Sequence, residues 1–211
     1  MPVKFRGTTL RQGALLQGPA GWGEFSPFPE YGPRECARWL ACALESAAYG
    51  WPAPVRDSVP VNVTVPAVGP EQAHAIVTRS GCRTAKVKVA EPGQPESDDI
   101  ARVEAVRDAI GPGGKVRVDA NGGWDVDLAA RMLTALAPFD LEYAEQPCAS
   151  LADLAALRRL VDVPLAADES IRRAEDPLRV RAAGAADIVV LKAQPLGGVR
   201  AGLEIAAACG L

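Results

Sequence analysis

The sequence predicts an α/β fold of the (β/α)8 TIM-barrel type. About six βα units are found, behind a small α+β N-terminal capping domain. Three observations carry that prediction. Short β-branched runs alternate with Ala- and Leu-rich stretches from Val61 onward. The residues that close those runs, Val65, Lys88, Asp119, Glu145, Asp168 and Lys192, recur every 23 to 31 residues. A closed barrel of ~250 residues has about that pitch per unit. No GxGxxG follows any run, so the rival open, doubly wound sheet lacks a dinucleotide fingerprint.

The elements follow in order. Residues 1–56 form the capping segment and 57–211 the partial barrel. Met1 to Gln17 holds short apolar stretches that can pair as strands. Gly18 to Pro33 is crowded with Gly, Pro and aromatics and reads as an irregular loop. Arg34 to Ala48 reads as a helix, with Trp39, Leu40, Ala43, Leu44 and Ala47 at helical spacing. Trp51-Pro52-Ala53-Pro54 reads as a linker. The barrel strands are Val61–Val65, Thr84–Val89, Lys115–Asp119, Leu141–Glu145, Val163–Asp168 and Asp187–Lys192. Helix starts are marked by Pro70, Ser97, Asp125 and Ser150, residues suited to a first turn or an N-cap. Strands and helices alternating at this pitch argue for right-handed βαβ units and a parallel sheet.

Composition removes whole classes of function. A net charge of -3 offers no basic surface to neutralise a phosphate backbone, so nucleic acid is not expected as a partner. No apolar run is long enough to span a membrane, and the N-terminus lacks a signal-peptide core. The five cysteines are scattered, without a CxxC pair, and read as thiols in a reducing, cytoplasmic compartment. The single histidine, His74, excludes a multi-His metal site and makes a Ser-His-Asp hydrolase a poor fit.

The chemistry lies in the charged residues that close the apolar strands. Lys86 and Lys88 (TAKVKVA), Asp119 (VRVDANGGW), Glu145 (LEYAEQP), Asp168 (PLAADES) and Lys192 (IVVLKAQP) follow one another strand by strand. In a parallel β/α fold the ligand lies beyond the carboxyl ends of the strands. Parity puts Lys86 and Lys88 on one face and Val87 and Val89 on the other. Three acids on neighbouring strands make an all-oxygen pocket suited to Mg²⁺, with Mn²⁺ as a substitute. A lysine beside a divalent ion and another lysine has its ammonium disfavoured and becomes a usable base. The arrangement suits removal of a proton α to a carboxylate, so the expected partner is a small-molecule carboxylate substrate. Glu169 competes with Asp168 as the third ligand, because adjacent residues point oppositely and the strand end is not set by parity. Asn121 reads as a turn residue or as the holder of a metal-bound water. Arg117 shares the face of Asp119 as a buried structural charge.

The stretches FRGTTLRQG, GPAGWGEFSPFPEY, VPVNVTVPAV, TAKVKVAEPGQ, VRVDANGGW, LEYAEQPC, ADESIRRAEDPL and ADIVVLKAQPLGG cover almost the whole chain. They resemble the enolase superfamily, in its muconate-lactonising-enzyme-like branch. Within that branch they are similar to the family of o-succinylbenzoate synthases of menaquinone biosynthesis. The resemblance implies a Mg²⁺-dependent lyase that dehydrates 2-succinyl-6-hydroxy-2,4-cyclohexadiene-1-carboxylate to o-succinylbenzoate. It implies that Lys88 takes the α-proton, Lys192 stabilises the enolate-like intermediate and Lys86 lowers the pKa of Lys88. It makes Asp119, Glu145 and Asp168 the metal ligands. Asn121, Glu169, Ser26, Gly197 and Gly198 stand as substrate-binding or supporting residues, and Gly21–Tyr31 as a capping loop over the mouth. The same apparatus serves N-succinylamino acid racemisation, dipeptide epimerisation and muconate cycloisomerisation. A non-catalytic β/α fragment is the reading from another class. Since the resemblance implies eight strands and six are found, the sequence reads as a truncated barrel chain.

Overall fold

The computed structural model describes residues 9–171 and 176–210. The start of the expected N-terminal strand region, residues 1–8, and four residues of the ADESIRRAEDPL stretch, 172–175, lie outside them. The described residues form two compact units. One holds 9–55, 176–178 and 191–210, and the other 56–171 and 179–190.

The chain opens with an antiparallel hairpin, β1 (Ala14–Gly18) and β2 (Gly21–Phe25), turned through Pro19-Ala20. β2 corrects the expected irregular loop. Gly23 is its buried residue, and a Cβ there would lie 2.0 Å from the carbonyl oxygen of Ala43. The glycines that suggested a loop therefore serve close approach of a strand to a helix. That helix is α1 (Pro33–Leu44), which runs on as a π-helical turn, Glu45–Tyr49. It buries Trp39, Cys42 and Ala43, in agreement with the helical spacing.

The second unit carries the alternation. In order come β3 (Val63–Val65), α2 (Pro70–Ser80), β4 (Thr84–Lys88), α3 (Glu96–Ile110), β5 (Lys115–Asp119) and α4 (Val126–Leu136). Then follow β6 (Leu141–Glu145), α5 (Leu151–Leu157), β7 (Leu165–Ala167), α6 (Asp176–Ala182) and β8 (Ile188–Val189). The six strands are parallel and lie side by side in sequence order, β3 to β8. A doubly wound sheet reverses its strand order at a switch point, and this sheet does not. Asp125 and Ser150 cap α4 and α5, accepting from Leu128 N at 2.8 Å and Asp153 N at 3.0 Å. Ser97 does not cap α3. That helix begins one residue earlier, at Glu96, after Pro95.

Valines build the layer between sheet and helices. Val65, Val87, Val116 and Val118 are buried on the strands, opposed by Ala73 and Val77 of α2, Val103 and Val106 of α3, and Met132, Leu133 and Leu136 of α4. Each large side chain buried there contributes about 1.5–3 kcal/mol.

The chain ends in α7 (Ala193–Leu196) and α8 (Val199–Ala208). Residues 191–210 pack in the unit of α1. Glu45 explains why. Its buried carboxylate accepts from Val199 N at 2.8 Å, Arg200 N at 3.2 Å and the Arg200 guanidinium at 2.7 Å. An anion thus satisfies the otherwise unpaired amides at the start of α8. Gly198, at φ 133°, leaves the space, since a Cβ there would sit 1.9 Å from Glu45 Oε2.

Candidate active site

Register brings the charged residues together. Lys88 pairs with Asp119, Asp119 with Glu145, and Glu145 with Ala166, so one row crosses β4 to β7 at their carboxyl ends. Lys86, Arg117 and Tyr143 form the row beneath. Alternation keeps both rows on one face while Val87, Val118 and Ala144 take the other. Asp168 lies two residues past Ala166, the spacing of that same face, whereas Glu169 begins a 3-10 turn, Glu169–Ile171.

The side chains meet as alternating charges. Lys88 Nζ donates to Asp119 Oδ2 at 2.6 Å and to Asn121 Oδ1 at 2.7 Å. Lys86 Nζ lies 2.9 Å from Asp119 Oδ2 and 3.0 Å from Glu145 Oε1. Asn121, at φ 47°, donates its backbone N–H to Asp119 Oδ1 at 3.1 Å and its amide to Glu169 Oε1 at 3.1 Å. It thus both turns the chain and touches the site. Asp119, Glu145 and Asp168 are buried, and Lys86 and Lys88 are half-buried.

These contacts set the ionisation. Burial raises the pKa of Glu145, and the negative charge of Asp119 raises it further, to about 7, with Asp168 adding and Lys86 opposing. Burial also pushes Asp119 up. The Lys88 hydrogen bond and the Lys86 and Lys88 charges outweigh it and hold that carboxyl below its ordinary value. Lys86 departs from expectation. Burial pushes its ammonium toward neutrality, but Asp119 and Glu145 together hold its pKa above that of an ordinary lysine. An amine between two carboxylates keeps its proton.

Among the described residues no three His, Cys, Asp or Glu side chains stand close enough to cage a metal ion. The lysine ammonium groups lie between the acids instead. The donors present are nevertheless all carboxylate oxygens. A carboxyl pushed up to about 7 by burial and by its acidic neighbours marks negative charge that a cation would relieve. The donor chemistry fits a hard divalent ion.

Sequence reasoning missed Gln146. It is fully buried at φ 40°, and its Oε1 accepts from Asp168 N at 3.0 Å and Ser170 N at 3.1 Å. Its amide donates to Ser170 Oγ at 2.8 Å and Cys148 O at 2.9 Å. It binds the end of β6 to the end of β7. Only its place directly after Glu145 hinted at this. Arg117 is a half-buried charge whose Nε donates to Glu142 at 2.5 Å, beside a register shift in β6.

The remaining expected residues lie in the first unit. Ser26 is buried, gives its hydroxyl to Glu24 and accepts from Arg11 Nε at 3.0 Å through its carbonyl. Lys192 is the N-cap residue of α7. Gly197, at φ 102°, passes against Arg38, and Gly198 accommodates Glu45. The five cysteines are free thiols, and no described helix is long and apolar enough to cross a membrane.

Comparison with known proteins accords with the parallel β/α fold. A family model described as enolase C-terminal domain-like matches residues 70–210. The chain belongs to the enolase C-terminal domain-like family. An enolase N-terminal domain-like model matches residues 1–47 of the same enolase-like chain. It is 70% identical over 209 residues to a protein named o-succinylbenzoate synthase from Thermobifida fusca, covering 99% of this chain and 66% of that protein. The chain thus spans just under two thirds of that relative's length. Among solved structures, muconate cycloisomerase from Pseudomonas fluorescens is 31% identical with a TM-score of 0.68, over 74% of this chain and 44% of that one. Dipeptide epimerase from Enterococcus faecalis, crystallised with Mg and the dipeptide L-Leu-L-Tyr, is 31% identical with a TM-score of 0.64, over 72% and 45%.

Proposed function

We propose that this enolase-like chain is an o-succinylbenzoate synthase, a carbon-oxygen lyase that dehydrates 2-succinyl-6-hydroxy-2,4-cyclohexadiene-1-carboxylate with Mg²⁺. The observation that carries the reading is the row Lys88–Asp119–Glu145, with Lys86 beneath it, at the carboxyl ends of consecutive parallel strands. The relative at 70% identity bears that name, while the epimerase and cycloisomerase neighbours stand at 31%, which favours the synthase over its sister reactions. Support for the metal is the carboxylate donor set and the Mg in the epimerase structure.

Asp119, Glu145 and Asp168 would hold the Mg²⁺. Bound there, the ion supplies the positive charge that makes an enediolate accessible from a carboxylate. Lys88, as the free amine, would take the α-proton and return it to the departing hydroxyl. Asn121, already bonded to the Lys88 Nζ, orients that group. Lys86 would add a second positive charge beside Lys88. Lys192 would stabilise the enolate. Aromatisation of the ring supplies the driving force, so the protein has only the intermediate to stabilise.

The test is Mg²⁺-dependent loss of the cyclohexadiene, followed by ultraviolet absorbance. Lys88→Ala is expected to lower turnover by roughly 10²–10⁴-fold, the range a positioned acid-base group contributes, and Asp119→Asn to weaken Mg²⁺ binding and lower turnover with it. Full activity in Lys88→Ala would remove the base assignment.

A further inference from the structure

Behind the mouth lies a second ion pair that the chemistry above does not use. Arg102, on α3, is 1% exposed, and Asp99, one turn earlier, is 4% exposed. They occupy the buried stripe of the helix beside Val103 and Val106, where apolar residues are the rule. Four of the five guanidinium N–H groups are engaged. Its Nε donates to Val68 O at 2.6 Å, its Nη1 to Lys88 O at 2.9 Å and to Asp99 Oδ1 at 2.7 Å, and its Nη2 to Gln94 Oε1 at 2.5 Å. The other Asp99 oxygen accepts from Ala90 N at 2.8 Å.

The targets of this pair are informative. The last bond from the end of β4 to its neighbouring strand runs from Val89 N to Asp119 O. Lys88 O and Ala90 N flank it on the helix side, and Arg102 and Asp99 take one each. Ala90 sits at φ 61°, a conformation an L-residue holds only when its surroundings impose it. Desolvating two charges makes a buried pair a poor source of net stability. What the pair does supply is orientation, because two fixed hydrogen bonds set the tilt of the peptides on either side of Val89.

We propose that Asp99 and Arg102 are positioning residues that fix the backbone at Lys88 and so aim its amine. The inference rests on the reading of Lys88 as the base. Arg102→Lys keeps the charge but cannot present a planar fork to four separate acceptors. In Mg²⁺-loaded protein it should lower kcat about tenfold or more with KM within about twofold, since small misplacements of a catalytic group are costly. Val106→Ala, a buried truncation on the same helix, is the control for lost stability and should leave kcat unchanged. Hydrogen exchange at the amides of Val89 and Ala90 should quicken at least tenfold in Arg102→Lys and not in Val106→Ala. Asp99→Asn, which keeps the shape, gives the same readings should Arg102→Lys fold poorly. An unchanged kcat, or a loss matched by Val106→Ala, overturns the proposal. Absence of turnover in the unsubstituted protein defeats the functional reading instead, and amide exchange then decides the positioning role alone.

Discussion

Gln146 shows how much one side chain can hold at this mouth. Its carboxamide satisfies two backbone N–H groups, of Asp168 and Ser170, and donates to Ser170 Oγ and Cys148 O, with no exposure to water. Gln146→Ala would leave buried donors unpaired, each costing about 1–3 kcal/mol. A fall in the urea midpoint corresponding to at least one such loss is expected, along with weaker Mg²⁺ binding, because Asp168 loses its anchor. Gln146→Glu should cost nearly as much, since the acid presents no amide donor to Cys148 O. Lys88, Asp119 and Glu145 were legible from the sequence because each closes an apolar run. Gln146 was not, because a left-handed φ and a partner 22 to 24 residues away leave no local trace.

Among elements, the hairpin and the caps lend themselves to tests. A methyl at Gly23 meets Ala43 O at 2.0 Å, so Gly23→Ala forces β2 and α1 apart. The expected loss is about 1–3 kcal/mol, as in other overpacked contacts, read by thermal unfolding. Asp125→Ala removes the cap of α4 and should cost about 1 kcal/mol. The caps at Asp125 and Ser150 could be read from sequence because a cap is a local event, complete within three residues. β2 could not, because its glycines answer to a helix twenty residues further on. Ser97 misled because Pro95 already holds the N-cap position, its fixed φ suiting the residue before the first turn.

For the whole molecule, pH and metal are coupled through the row of acids. Glu145 has a folded pKa of about 7, above its unfolded value. For an acid this means stability present below the unfolded value and lost as pH rises through about 7. Asp119 is shifted down, so its contribution is present above its unfolded value and lost as pH falls through the lower folded one. Metal-free protein should therefore melt higher at pH 5.5 than at pH 8. Added Mg²⁺ should reverse that order, since a cation binds ionised carboxylates and stabilises the state it binds. A melting temperature insensitive to Mg²⁺ at pH 8 would count against the metal site. The sequence by itself determined the parallel alternation and the placing of acids and lysines at strand ends. Those features depend on periodicity and on which residues interrupt an apolar run. Only the tertiary structure decided that Lys86 bridges two carboxylates, that residues 191–210 pack with α1, and that a buried Asp99–Arg102 pair holds the end of β4. Each of those depends on groups brought together across many residues of chain, where distance and burial rather than local pattern set the energy.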